Sequence, residues 1–160
     1  VLFGSSATID VAGVVASTTN ITNSNFMSGN FAFDDATSQR GASVVNRGDI
    51  TIGDSGLAAF VAPGVSNEGV IVANLGQVTL ASGDAFSVDL FGDSLINLAV
   101  SSDDIAALAA ADGASLAARI VQSGRITADG GRVALTAQDA ASLVSQSINM
   151  SGVVQANNRF

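Results

Sequence analysis

One phrase recurs along this chain, and no other feature restricts its fold as strongly, because self-similarity at a fixed short period is the mark of a solenoid. Val45-Asn46-Arg47-Gly48-Asp49-Ile50 reappears as Ser66-Asn67-Glu68-Gly69-Val70-Ile71, offset by 21 positions. Gly56-Leu57-Ala58-Ala59-Phe60-Val61-Ala62 reappears as Gly76-Gln77-Val78-Thr79-Leu80-Ala81-Ser82, offset by 20, and again as Gly131-Arg132-Val133-Ala134-Leu135-Thr136-Ala137. Ser123-Gly124-Arg125-Ile126-Thr127-Ala128 and Ser151-Gly152-Val153-Val154-Gln155-Ala156 open the unit twice more. Each unit holds two or three short runs of alternating apolar residues, every run ended by Gly or Asn. Period-two alternation makes strands, and strands repeated at this interval predict the coils of a parallel β-helix.

The alternation assigns the core. Val78 and Leu80 point inward while Gln77 and Thr79 point out, and Val133 and Leu135 do the same against Arg132 and Thr136. Coils stacked roughly 4.8 Å apart pair every strand and enclose a narrow interior that favours Val, Ile, Ala and Leu over larger rings. Gly48, Gly69, Gly76 and Gly131 fall at corners, where positive φ is expected of them. Asn46 and Asn67 occupy equivalent corners one coil apart. Either their amides stack into a hydrogen-bonded ladder, or each Asn only tolerates a left-handed turn.

The residues that are missing remove whole classes of chemistry. The 160-residue chain has no His, Cys, Lys, Trp or Tyr. Imidazole bases, thiol nucleophiles, disulfides and ordinary zinc, haem or iron–sulfur sites are thereby excluded, and no cofactor is expected. A net charge of −8, with six Arg scattered singly, argues against nucleic acid and anionic membrane surfaces. Hydrophobic content of 48% with only 12% charged residues argues for a packed core over disorder. No run of 18 apolar residues is present to span a bilayer.

Two stretches break the period. Ser102 to Gly113 has a Ser cap, early acids, Ile105, Leu108 and Ala109 on one face and a Gly stop, which predicts a helix; Gln138 to Val144 predicts a shorter one. Asp84 to Gly92 reads as a hairpin arm, so that 84–119 forms one excursion outside the coils of a single 1–160 unit. Thr19 to Thr37, with Phe26, Phe31 and Phe33, is a second. The carboxylate pairs Asp34–Asp35 and Asp103–Asp104 suit solvated and helix-start roles better than a glycosidase pair, which needs carboxyls about 5 to 10 Å apart on one wall. No calcium-binding nonapeptide, nucleophile elbow or phosphate loop occurs. Catalysis is not expected, although a carbohydrate-active β-helix enzyme remains an alternative.

Longer phrases carry a family resemblance. Val1-Leu2-Phe3-Gly4, Ile9 to Thr18 and Asn20 to Gly29 resemble the haemagglutination activity domain of filamentous haemagglutinin-type exoproteins, the secretion domain of two-partner secretion (TPS) systems. Ser43 to Gly48, Val61 to Gly69 and Gly92 to Val100 are similar to its later coils and extrahelical elements. The resemblance implies an all-β, right-handed parallel β-helix with a short extrahelical hairpin and helices. It also implies recognition by an outer-membrane transporter of TpsB type and a place outside a Gram-negative cell, secreted or on the surface. The exported protein would be a surface adhesin or a contact-dependent toxin carrier, with a host or neighbouring-cell receptor as partner. The family's Asn-Pro-Asn-Gly-type phrase and earlier cap strands are expected before Val1, so the segment is expected to belong to a larger exoprotein, and no recognition residue is carried over. A chain threaded unfolded through a pore gains from having no Cys, and a coil stack can fold as it emerges. The alternative is a subunit that self-associates through its open ends into an extracellular fibre.

Overall fold

The computed structural model describes residues 1–35, 41–83, 85–89, 96–99, 113, 116–137 and 148–157. The helices predicted over 102–113 and 138–144 lie outside the described residues, Gly113 excepted.

The chain winds into a parallel β-helix. Its first coil consists of β1 (Leu2–Phe3), β2 (Thr8–Val11) and β3 (Val14–Ser17). A short helix α1 (Asn23–Met27), capped by the Thr22 side chain, and β4 (Ala32–Phe33) then leave the stack. The second coil is β5 (Ser43–Asn46), β6 (Asp49–Ile52) and β7 (Leu57–Ala62), and the third is β8 (Gly64–Asn67), β9 (Val70–Val72) and β10 (Gln77–Ser82). A hairpin follows, β11 (Ala85–Val88) pairing antiparallel with β12 (Ile96–Ala99). The fourth coil is β13 (Ile120–Gln122), β14 (Arg125–Thr127) and β15 (Arg132–Ala137); β16 (Ile148–Met150) and β17 (Val153–Gln155) begin the fifth.

Stacking turns the coils into three parallel sheets that form the faces of the helix. Their orders are β1-β5-β8-β13-β16, β2-β6-β9-β14-β17 and β3-β7-β10-β15. Every one of these strands pairs with the equivalent strand of the coil before or after it, Ile50 beside Ile71 and Leu80 beside Phe60 for example. Identical register carries each inward side chain onto its like. Ile9, Ile50, Ile71, Ile126 and Val154 form one such file, and Ala16, Phe60, Leu80 and Leu135 another. Ile50, Ile71, Phe60 and Leu80 are buried, each burial stabilising by about 1.5–3 kcal/mol. Phe3 of the first coil stacks on Phe60 with ring centroids 5.7 Å apart and packs against the same core.

Among the described residues, excursions leave from the corner between a strand of the third sheet and the next strand of the first. That corner is closed tightly once, by Pro63 between β7 and β8, where the buried Ser82 hydroxyl donates to the Pro63 carbonyl at 2.8 Å. Strand β4 pairs with β11, giving a separate sheet of order β12-β11-β4. This sheet brings Phe31, Phe33, Phe86 and Val88 onto Leu57, Ala59, Val61 and Ala81, the outward side chains of the third sheet. Thr79 points out of the coil, yet it is buried on this same face. The alternation in β10 therefore separates two apolar compartments, where the sequence reading separates core from solvent.

Candidate functional site

The residues singled out by the repeat converge on two corners. At the corner between the first and second sheets, strand register places Phe3, Asn46, Asn67, Gln122 and Met150 one above another. All three amides are fully buried. Asn46 Nδ2 donates to Asn67 Oδ1 at 2.9 Å, and Asn67 Nδ2 donates to Gln122 Oε1 at 2.9 Å. Gln122 Nε2 ends the chain on the Gly124 carbonyl at 3.0 Å, and the Gly48 N–H donates to Asn46 Oδ1 at 3.1 Å. Donation thus runs in one direction through three coils. Such continuity matters because a buried amide with an unpaired donor costs about 1–3 kcal/mol. Among the described residues no buried side-chain nitrogen or oxygen lacks a partner.

The backbone at this corner explains the glycine that follows each amide. The Asn46 carbonyl accepts from both Glu68 N at 2.8 Å and Gly69 N at 3.0 Å. The Asn67 carbonyl does the same for Ser123 and Gly124, and the Gln122 carbonyl for Ser151 and Gly152. Two donors on one oxygen draw each turn onto the turn beneath it. A Cβ at Gly69 would lie 2.2 Å from the Gly48 carbonyl oxygen, and one at Gly48 2.4 Å from that of Ala7. Gly76 and Gly131, at the corner between the second and third sheets, meet the carbonyls of Gly56 and Gly76 at 2.5 and 2.1 Å in the same way.

These glycines therefore differ from expectation in their reason. None of Gly48, Gly69, Gly76 or Gly131 has positive φ; what each requires is room for the neighbouring coil's backbone. Left-handed backbone does occur beside them, at Ser55, Leu75 and Gly130, the residues preceding Gly56, Gly76 and Gly131.

Of the proposed core positions, Val78 and Leu80 are completely buried. Val133 and Leu135 pack on the same cluster but are half-buried, because β15 is the last described strand of its sheet. Gln122 is the member that the sequence reading missed. Its signal was present in Gln122-Ser123-Gly124, which matches Asn67-Glu68-Gly69 with Gln in place of Asn. On the outside of this corner Arg47 Nε and Glu68 Oε2 form an exposed ion pair at 3.0 Å between coils two and three, worth at most about 1 kcal/mol.

The acids that the sequence pairs are not brought together as a set. Asp34 and Asp35 turn to different partners, Oδ1 of Asp34 accepting from Asn25 and Oδ2 of Asp35 from Asn20. Asp103 and Asp104 lie outside the described residues. Among the described residues no group of three acids could gather a metal ion, and no helix is long and apolar enough to cross a membrane. The built features of the molecule are its buried amide file, its close-packed turns and its apolar outer compartment.

The family model described as the TPS secretion domain matches residues 1–159. Among solved structures, the chain is similar to the crystal structure of the HMW1 secretion domain from Haemophilus influenzae, with 27% sequence identity and a TM-score of 0.64. That similarity covers 98% of this chain and 44% of the solved one, so the chain spans less than half the length of its structural relative. The comparison with curated proteins gives no match.

Proposed function

The chain belongs to the TPS secretion domain family, and from that membership we propose that it directs a larger exoprotein to an outer-membrane transporter of TpsB type and then serves as the first folded stretch of the exported product. Membership makes the chain the secretion domain of a two-partner system exoprotein. Within that exoprotein its role is that of a scaffold, without catalysis, in a surface adhesin or toxin carrier outside a Gram-negative cell. The observation that carries it is the agreement of the family match over residues 1–159 with the parallel coil stack.

The physics of the stack suits export. The strands of each coil pair with those of adjacent coils, so a chain arriving from its amino end can add coils one at a time. Lack of Cys removes the hazard of a premature disulfide during transit. A second reading is self-association of coil stacks end to end, since a parallel strand edge left unpaired can template another strand.

One experiment separates these readings. The exoprotein is expressed in a Gram-negative host with and without its transporter gene, and the medium is assayed for folded product and its sedimentation. Release that depends on the transporter, as slowly sedimenting protein, is the expected outcome. Equal release without the transporter would contradict the secretion reading, and rapidly sedimenting filaments would favour end-to-end assembly.

A further inference from the structure

The two excursions meet over the third sheet although they leave the stack from different coils. Strand β4 belongs to the connection between coils one and two, and β11 to the connection between coils three and four. Their rings close on each other: Phe33 and Phe86 stack with centroids 4.5 Å apart and planes at 7°. The backbones join as well, Phe86 pairing with Phe33, Ser87 with Ala32, and Val88 N donating to the Phe31 carbonyl at 3.0 Å. Phe86 and Val88 are buried, over Leu57, Ala59, Val61 and Ala81.

Chain order gives this contact a direction. Strand β4 precedes β7 and β10 in sequence, and β11 follows both. Among the described residues β4 pairs with no strand but β11. The junction closes over a floor that the second and third coils supply. Once closed it spans coils that a bare stack would leave coupled only through nearest neighbours, and a stack with nearest-neighbour coupling alone can open from either end one coil at a time.

We propose that β4 and β11 form a clasp that shuts after the third coil has docked and holds the first three coils against unwinding. It is a latch on the folded state and takes no part in starting folding. In a protein exported through a pore it would prevent the emerged coils from reopening; that use rests on the secretion reading above, while the latch itself rests on the fold.

Folding kinetics of the full chain test it. Phe33→Ala, Phe86→Ala and the double variant are unfolded and refolded by denaturant jumps alongside the unsubstituted chain. The latch predicts unfolding at least about tenfold faster in each single variant and refolding unchanged within about twofold, as for contacts made after the transition state. The double variant should unfold only slightly faster than either single one, because each ring acts through the other. Refolding slowed in proportion to the lost stability would overturn the proposal by making the contact early, and unchanged unfolding would overturn it by making the contact idle. Phe33→Leu and Phe86→Leu keep the test available if the alanine variants fail to fold, with the same signs and smaller amplitudes. These rates are measured on the chain in solution, so failure of the secretion reading would leave the expectations unchanged.

Discussion

Asn67 is the middle amide of the file, and alone of the three it is bonded to an amide side chain on either side, accepting from Asn46 and donating to Gln122. Asn67→Ala strands a donor below and an acceptor above, and should cost about 2–5 kcal/mol in chemical denaturation. Gln122→Leu should cost less than half as much. It deprives only Asn67 Nδ2, while the Gly124 carbonyl keeps the Val153 N–H and a Leu suits the neighbouring Met150. Equal losses in the two variants would show that the file does not act as a directed chain. Glycine offers a sharper contrast. Gly69→Ala drives a Cβ into the Gly48 carbonyl and should cost at least about 2 kcal/mol, whereas Gly4→Ala, with nothing within 4 Å of the added carbon, should change the melting midpoint little. The sequence located Asn46 and Asn67 because an uninterrupted coil separates them by 21 positions; Gln122 escaped because 55 positions and a longer amide intervene. It also located the glycines while misjudging their cause, since a close approach between coils leaves no trace in one coil's local pattern.

Strands differ in how much of their environment their own residues announce. In β9 and β14 burial alternates, Ile71 and Ile126 buried between more exposed neighbours; Arg125-Ile126-Thr127 shows this in its residue types, whereas Val70-Ile71-Val72 is apolar throughout and does not. Strand β7 is apolar at all six positions, Leu57 to Ala62, and all six are buried. Continuous apolarity in a parallel sheet signals cover on both faces, and here the second cover is the clasp. Strand β10 hid the same fact behind Thr79, a polar residue that is nonetheless buried. Leu80→Asp should abolish cooperative melting followed by circular dichroism, because an unpaired charge would be buried at the centre of the stack. Leu135→Asp, half-buried on the last described strand of the same file, should lower the midpoint and leave a folded protein. The reverse order of severity would contradict the register of the third sheet.

At the scale of the whole molecule, architecture follows from where the period is kept and where it is broken. Corners lined by glycine and buried amides admit no extra residues, so insertions collect at the one remaining corner, between the third sheet and the first. Their contents depend on contacts between segments far apart in sequence, which is why the excursions were legible as interruptions while their joint closure over the outer compartment was not. The central claim is that equivalent strands of successive coils lie side by side, and a chain without native cysteine allows it to be tested by cross-linking. Thr51 and Val72 are neighbours on the outer face of the second sheet, and Thr127 is the next residue in the same row. Thr51→Cys with Val72→Cys should close an intramolecular disulfide under mild oxidation, and Thr51→Cys with Thr127→Cys should not, because two strand spacings of about 4.8 Å exceed a disulfide's reach. Cross-linking of the distant pair, or none in the adjacent pair, would contradict the coil stack described above.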